Sequence, residues 1–452
     1  MKTTTPAGSS PRLHTRGGLS RRDVLLLTAT GLPLLRQAGL AAQGGSGLVV
    51  EAARLFDGTQ TTATSGARVV VRDGRIVAAG DAASVAAPAG LPVVRVPDGT
   101  ILPGLIDLHF HIEEDPALAL RQLAHGITTY RDPGEWLELH ESLRARIARE
   151  QLPGPRMFLT GPHLDGEQPA YPKDSVVVRD PEEARRQVHR AVNGGATAIK
   201  IYFRLPLASA LAVIEACRER GVPSTAHLEI LDARHLLEAG LDGVEHITSL
   251  GISIAEPMAA ERYRQAVLSG NDGRRGGRYA LFAEADLDGP EARRLYALVE
   301  KRRPFVDATL AIFEARLTDP SPRNSEVTQE VRARGFAQMQ KLVGRLHAHG
   351  ARIVMGGHTE VPHAGRGEAP WRELELLAAS GLTAAEALAA ATGTAAGFVG
   401  PGGEDLGRIR AGAHADLVVV EGDPATTIAD IRRVRHVVAA GRLVDRDRLL
   451  DA

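Results

Sequence analysis

Four histidines and a lysine close short apolar runs, and these are the residue types that bind a metal ion and activate water. Leu105-Ile106-Asp107-Leu108-His109-Phe110-His111 ends in His-x-His. On a strand, side chains at i and i+2 point the same way, so both imidazoles can reach one borderline metal. Lys200 lies inside the apolar run 198–202, where a free ammonium is costly to bury. A desolvated lysine has a lowered pKa and reacts as the neutral amine. His227 ends the run 223–227, and His246 ends the run 243–246. Taken singly, each histidine is more commonly a satisfied core or surface residue. Together, at successive strand ends, they point to a metal centre that generates a nucleophile from water. His163 follows the third strand candidate and Tyr202 lies two residues beyond Lys200. Both are expected to face the same mouth and to touch substrate.

The elements that must carry these residues alternate. Strand candidates fall at 105–109, 128–131, 156–160, 198–202, 223–227, 243–246, 305–309 and 352–356, which makes eight. Helical periodicity fills the intervals, as at 181–193, 207–220 and 233–239. Eight βα units predict an α/β fold, a (β/α)₈ TIM-like barrel with its site at the C-terminal ends of the strands. Before and after the barrel the texture changes to short strands with turns. They lie at 48–53, 67–72, 75–79 and 93–97 on one side, and at 415–421, 434–439 and 441–444 on the other. Asp57-Gly58 and Asp73-Gly74 mark turns between the first group. Both chain ends are therefore expected to build one small β-sandwich domain. The expected organisation is a leader over 1–42, sandwich over 43–104, barrel over 105–400 and sandwich again over 401–452. Residues 251–290 are rich in Gly, Arg and Ser. Two readings stay open for them: a long βα loop over the mouth of the site, or a mobile surface insertion.

Composition narrows the function classes. A net charge of −1 in 452 residues offers no basic surface for nucleic acid, and 4% aromatics offer few stacking platforms. The single cysteine, Cys217, excludes an intramolecular disulfide and a Cys-based zinc site. Within the helical stretch 207–220 it is expected to be a small core residue. Ser20-Arg21-Arg22-Asp23-Val24-Leu25 sets paired arginines before an apolar run of about a dozen residues, too short to span a bilayer. Small residues follow at 39–41. The segment resembles a twin-arginine export signal, which predicts a periplasmic or extracellular protein; the plainer reading is a mildly basic leader with no targeting role. No segment is long and apolar enough to cross a membrane. A small-molecule substrate is expected, and homo-oligomerisation is left open.

The motifs together resemble the amidohydrolase superfamily and, within it, the imidazolonepropionase-like group. The similar segments are 102–111, 126–132, 154–162, 198–202, 226–246, 371–396 and 406–423. The resemblance implies a metal-dependent hydrolase of carbon–nitrogen bonds other than peptide bonds. It implies that His109 and His111 bind the more buried of two metals and that His227 and His246 bind the more exposed one. It also implies that Lys200 is carboxylated and bridges them. Zinc suits the imidazole-rich set, and manganese, iron and cobalt use similar ligands.

The chain departs from the pattern at one position. The family's eighth strand usually ends in Gly-Thr-Asp, whereas here the run is Gly356-Gly357-His358-Thr359-Glu360. His358 stands at the Asp position, as in some branches of the superfamily. Three readings remain: His358 is a neutral ligand and general base, Glu360 or His363 takes the proton, or the protein binds a small ligand without hydrolysing it. Lactone or ester hydrolysis would use the same centre. Asp132 is read as a structural cap, His347 and His349 as surface residues, and Trp371 with Arg372 as packing.

Overall fold

The computed structural model describes residues 47–62, 66–112, 116–318, 327–359, 361 and 367–451. The leader, Glu360 and His363 lie outside these residues.

Parallel strands form at all eight expected positions. They are Leu105–Asp107, Ile127–Asp132, Arg156–Leu159, Ile199–Ile201, Ser224–Ala226, Gly243–Glu245, Phe305–Asp307 and Arg352–Val354. Most of their residues are buried, which explains why the sequence shows continuous apolar runs rather than alternation. Every strand but the second, which runs on to Asp132, stops short of its expected end, so His109, His111, His227, His246 and His358 sit just beyond strands while Lys200 stays within one.

The strands pair in two parallel arrays. The first three form one array. The other five follow in chain order in a second, whose leading edge carries two short additional strands, His163–Asp165 and Ser175–Val177. Backbone hydrogen bonds link the arrays at both sides, among them Thr197 N to Leu159 O at 2.8 Å and Leu108 N to Met355 O at 3.0 Å. Helices occupy the intervals, and their ends follow local rules. Asp180 caps Pro181–Asn193 by accepting from Glu183 N at 2.7 Å, with Pro181 pre-set at the first helical position. Cys217 is buried in the helix Leu207–Arg220.

The terminal strands build one eight-stranded mixed sheet. Its centre is Val93–Pro103, which pairs in parallel with Gly47–Phe56 and antiparallel with Leu417–Glu421. Both chain ends therefore meet on one strand, whose own end leads directly into Leu105. The core of this sheet is aliphatic, with Val50, Val69, Val71, Ile101, Leu417 and Val419 all buried. Seven of the strands pair along one path and Thr61–Thr62 pairs with Gly47–Phe56 beside it, so among the described residues the pairings make one sheet rather than the two expected of a sandwich.

Residues 251–290 differ from expectation. They form helices, Gly251–Ile254, Pro257–Ser269 and Gly273–Glu284, with Pro290–Arg302 following. The run Gly273-Arg-Arg-Gly-Gly-Arg reads as loop by propensity, but packing decides otherwise. Tyr279 and Phe282 are buried, and the Tyr279 hydroxyl donates to Phe313 O at 2.7 Å. The neighbouring helix Gln329–Ala348 passes so close that a Cβ on Gly335 would lie 2.3 Å from Tyr279 O. Among the described residues, no helix is long and apolar enough to cross a membrane.

Candidate metal centre

Strand register sets the polar residues of the second array two residues apart, Lys200 level with Gly243 and Glu245 level with Asp307. Lys200 pairs with Thr225, Thr225 with Gly243, and Glu245 with Asp307. Burial pushes the Lys200 ammonium down to about 8, which gives it a usable fraction of neutral amine. Glu245 has no solvent exposure and accepts from Thr225 Oγ1 at 2.8 Å and from the Arg131 guanidinium at 2.5 Å. Arg131 is itself fully buried, donating to Leu108 O and Phe398 O and lying 4.3 Å above the Phe398 ring. Burial and the adjacent Glu245 carboxylate push Asp307 well above the ordinary carboxyl range.

His109 Nδ1 lies 2.7 Å from Glu245 Oε2. With Nδ1 donating to the carboxylate, Nε2 presents its lone pair, the arrangement that orients a metal-binding histidine. Burial holds this imidazole down to about 3, so it is neutral at ordinary pH. His227 shows the mirrored pattern: Nε2 lies 2.8 Å from Glu229 Oε1, and Nδ1 has no hydrogen-bond partner. Glu229 is the hub of this side. Its burial would raise it, but Arg278 and His227 beside it hold it down to about 2. It also accepts from the Tyr263 hydroxyl.

Two ligand candidates have left-handed backbones, His246 at φ 63° and His358 at φ 60°. Non-glycine residues there are strained and persist where surroundings dictate the conformation. His246 Nδ1 contacts Thr309 Oγ1 at 2.7 Å. His358 N donates to His109 O at 2.9 Å. A Cβ on Gly356 would lie 2.3 Å from Asp307 Oδ1, so glycine is what lets the His358 loop run against the centre. Asp107 ties that loop to the first strand, with Oδ1 accepting from His109 N at 3.0 Å and Gly357 N at 2.8 Å. Ring centroids are 4.5 Å apart for His109–His246 and for His227–His246, 5.0 Å for His109–His358 and 5.1 Å for His109–His111.

The residues fit a metal ion. Ligand atoms of His109, His246 and His358 lie within 4.8 Å of one another, as do those of His109, Glu245 and Asp307. His109 Nε2 and His227 Nδ1 are buried without hydrogen-bond partners, as are both Asp307 oxygens, although Oδ2 lies 3.3 Å from His109 Nδ1. Unpaired polar atoms of this kind are costly unless something binds them. This grouping differs from the expected pairs, because His358 joins His109 and His246, while His111 and His227 stand at the flanks. His111 Nδ1 points to Asp132 Oδ1 at 3.3 Å. Asp132 therefore does more than cap. It accepts from Ile112 N at 2.9 Å and lies 3.4 Å from His140 Nε2, fixing His111 against the second strand.

Above the centre is a cavity of about 280 Å³. His163 and Tyr202 both line it, with rings stacked at 4.1 Å, and Tyr202 also covers Lys200 Nζ at 5.6 Å. Phe313, Arg274 and Arg278 complete much of the wall. Outside the site, His347 and His349 pair with Glu386 and Glu300 on partly exposed surface. Trp371 Nε1 donates to His125 O, and Arg372 pairs with Glu314. Sequence reasoning missed Glu229, Glu245, Asp307, Arg274 and Arg278. A signal existed for two of these, since Glu245 and Asp307 are lone carboxylates in otherwise apolar strand candidates.

With this geometry in view, comparison with known proteins is informative. The amidohydrolase family profile matches residues 100–260 and 318–444, more than half of the chain. No curated protein matches in sequence. Solved structures do match in fold. A Xaa-Pro dipeptidase with bound methionine in its active site superposes with a TM-score of 0.67 at 21% identity, covering 88% of this chain and 99% of that one. A putative prolidase from Bifidobacterium longum gives 0.67 at 24% identity, covering 90% and 98%. The ochratoxinase of A. niger gives 0.66 at 20% identity, covering 88% and 95%.

Proposed function

Because the chain belongs to the amidohydrolase family, we propose that it hydrolyses an amide or related carbon–nitrogen bond in a small molecule at the centre around His109, His246 and His358. The observation that carries this reading is the convergence of unpartnered buried ligand atoms, His109 Nε2, His227 Nδ1 and the Asp307 carboxyl, at the C-terminal ends of parallel strands. We read the two arrays as one (β/α)₈-type barrel, a reading supported by the backbone bonds that link them at both sides. The terminal sheet is read as its satellite domain.

In this reading His109, His111, Lys200, His227, His246 and His358 hold two divalent ions, with zinc as the first candidate. When bound, such ions supply Lewis acidity to the attacking water and to the scissile carbonyl. The protein does the rest. Lys200, as the neutral amine, adds to carbon dioxide through Nζ and releases a proton, which gives a carbamate anion. Glu245 fixes the tautomer of His109, and Arg131 holds Glu245 in place. His358, kept neutral by burial, occupies the usual carboxylate position and accepts the proton of the attacking water. His163 and Tyr202 line the cavity where the substrate carbonyl must lie. Ester or lactone cleavage needs the same residues.

The test is metal reconstitution followed by a panel of N-acyl amino acids, dipeptides, cyclic amides and lactones. Metal-dependent release of amine or acid that is lost in Lys200→Ala supports hydrolysis. Metal uptake with no turnover of any panel member would leave ligand binding as the function. We also carry export by the twin-arginine leader as a proposal. Recovery of the chain outside the cytoplasm with a new N-terminus near residue 42 would support it, and retention of the full leader inside would contradict it.

A further inference from the structure

The helix Gly273–Glu284 places two guanidiniums one turn apart on the cavity wall, Arg274 and Arg278. Both are buried, with 4% and 3% of their surface exposed. Their surroundings differ. Arg278 forms an ion pair with Glu229, which balances its charge. Arg274 donates to the neutral hydroxyl of Tyr171, and its Nε has no partner. Its guanidinium lies 5.3 Å from each of the Tyr171 and Phe203 rings, and among the described residues no carboxylate comes within ion-pair distance of it. Glu229 feels the Arg274 charge, but it is already paired with Arg278; Glu135 and Asp174 are the acidic residues of the lining. The cavity thus holds one buried cation more than its own helix side balances. A desolvated guanidinium without a counter-ion is unfavourable, and its planar fork matches a carboxylate.

We propose that Arg274, with the Tyr171 hydroxyl, forms a subsite for the carboxylate of the substrate, so that the amide cleaved here carries a free acid group. N-acyl amino acids and dipeptide-like acids fit this class, and neutral cyclic amides and lactones do not. The reaction assigned to such a substrate rests on the hydrolase reading. The carboxylate subsite stands on the Arg274 surroundings alone.

Equilibrium calorimetry on the purified full-length protein separates the two. The probes are N-acetyl amino acids with apolar side chains and the matching C-terminal carboxamides. The acids should bind roughly tenfold to a hundredfold more tightly than their carboxamides, the range expected for hydrogen bonds to a charged group. Arg274→Gln should erase that preference, and Arg274→Lys should restore part of it. Tyr171→Phe should weaken acid binding by a smaller factor, a check that does not depend on replacing the arginine. Equal binding of acids and carboxamides would overturn the subsite. So would an acid preference that survives in Arg274→Gln, since that would place the carboxylate elsewhere, for example on a metal. Hydrolysis is read separately by amine release: carboxamides cleaved as well as acids would overturn the subsite and keep the hydrolase, whereas acids bound selectively but not cleaved would keep the subsite and overturn the hydrolase.

Discussion

Ion pairs occur at both the strand-end centre and the sheet built by the chain termini, but their burial is opposite. Arg131 and Glu245 pair with no exposure of either side chain. In the terminal sheet, Arg435 and Glu421 pair with 57% and 30% of their side chains exposed. The first pair fixes a geometry, because an uncompensated charge at that depth would be intolerable. The second sits in water, where pairing is worth little. Stability in the terminal sheet comes instead from its aliphatic core, while the centre gives up such packing for carboxylates, imidazoles and an amine held at fixed distances. The difference teaches that the strand ends are built for chemistry and the sheet for support.

That contrast can be broken or sharpened by mutation. The largest effect is expected at Lys200. Lys200→Ala should lower turnover about a hundredfold to a thousandfold, the order found when a principal transition-state stabiliser is removed, with circular dichroism unchanged. Retained turnover would mean that the centre is not the reactive site. Next, Arg131→Met leaves Glu245 buried without its partner and should cost about 3–5 kcal/mol in denaturant unfolding. A loss below about 1 kcal/mol would show that Glu245 is not held as an anion. In the supporting sheet, Ile101→Val should cost about 1 kcal/mol and leave turnover unchanged. A change in turnover there would couple the sheet to the site. The smallest effect is expected from Arg435→Ala, roughly 0.2–1 kcal/mol and shrinking with added salt.

How much of this could be read from the sequence depended on range. The eight parallel strands were visible because each is a buried apolar run that ends near a polar residue, as in 105–111 and 243–246. The shared terminal sheet was visible because both chain ends repeat short strands with turns. The histidines and Lys200 were legible as one cluster at successive strand ends, but which of them stand nearest to one another was not. His358 joins His109 and His246 through a left-handed backbone and a glycine approach that no local pattern encodes. Glu245 and Asp307 are lone acids in apolar strands, and their partners lie far along the chain, as with Arg131, 114 residues from Glu245. The helix Gly273–Glu284 was hidden by Gly273, Gly276 and Gly277, whose low helix propensity favours loop until Gly335 and Tyr279 are seen in contact.

The central claim is that this centre holds divalent metal through the named histidines and Lys200. Elemental analysis of the purified protein tests it most directly, alongside Lys200→Ala and His358→Asp. The account predicts nearly two equivalents of zinc or a similar ion per chain, a marked loss in Lys200→Ala, and retention at least as strong in His358→Asp. A protein that stays empty after zinc or manganese and bicarbonate are supplied would contradict it.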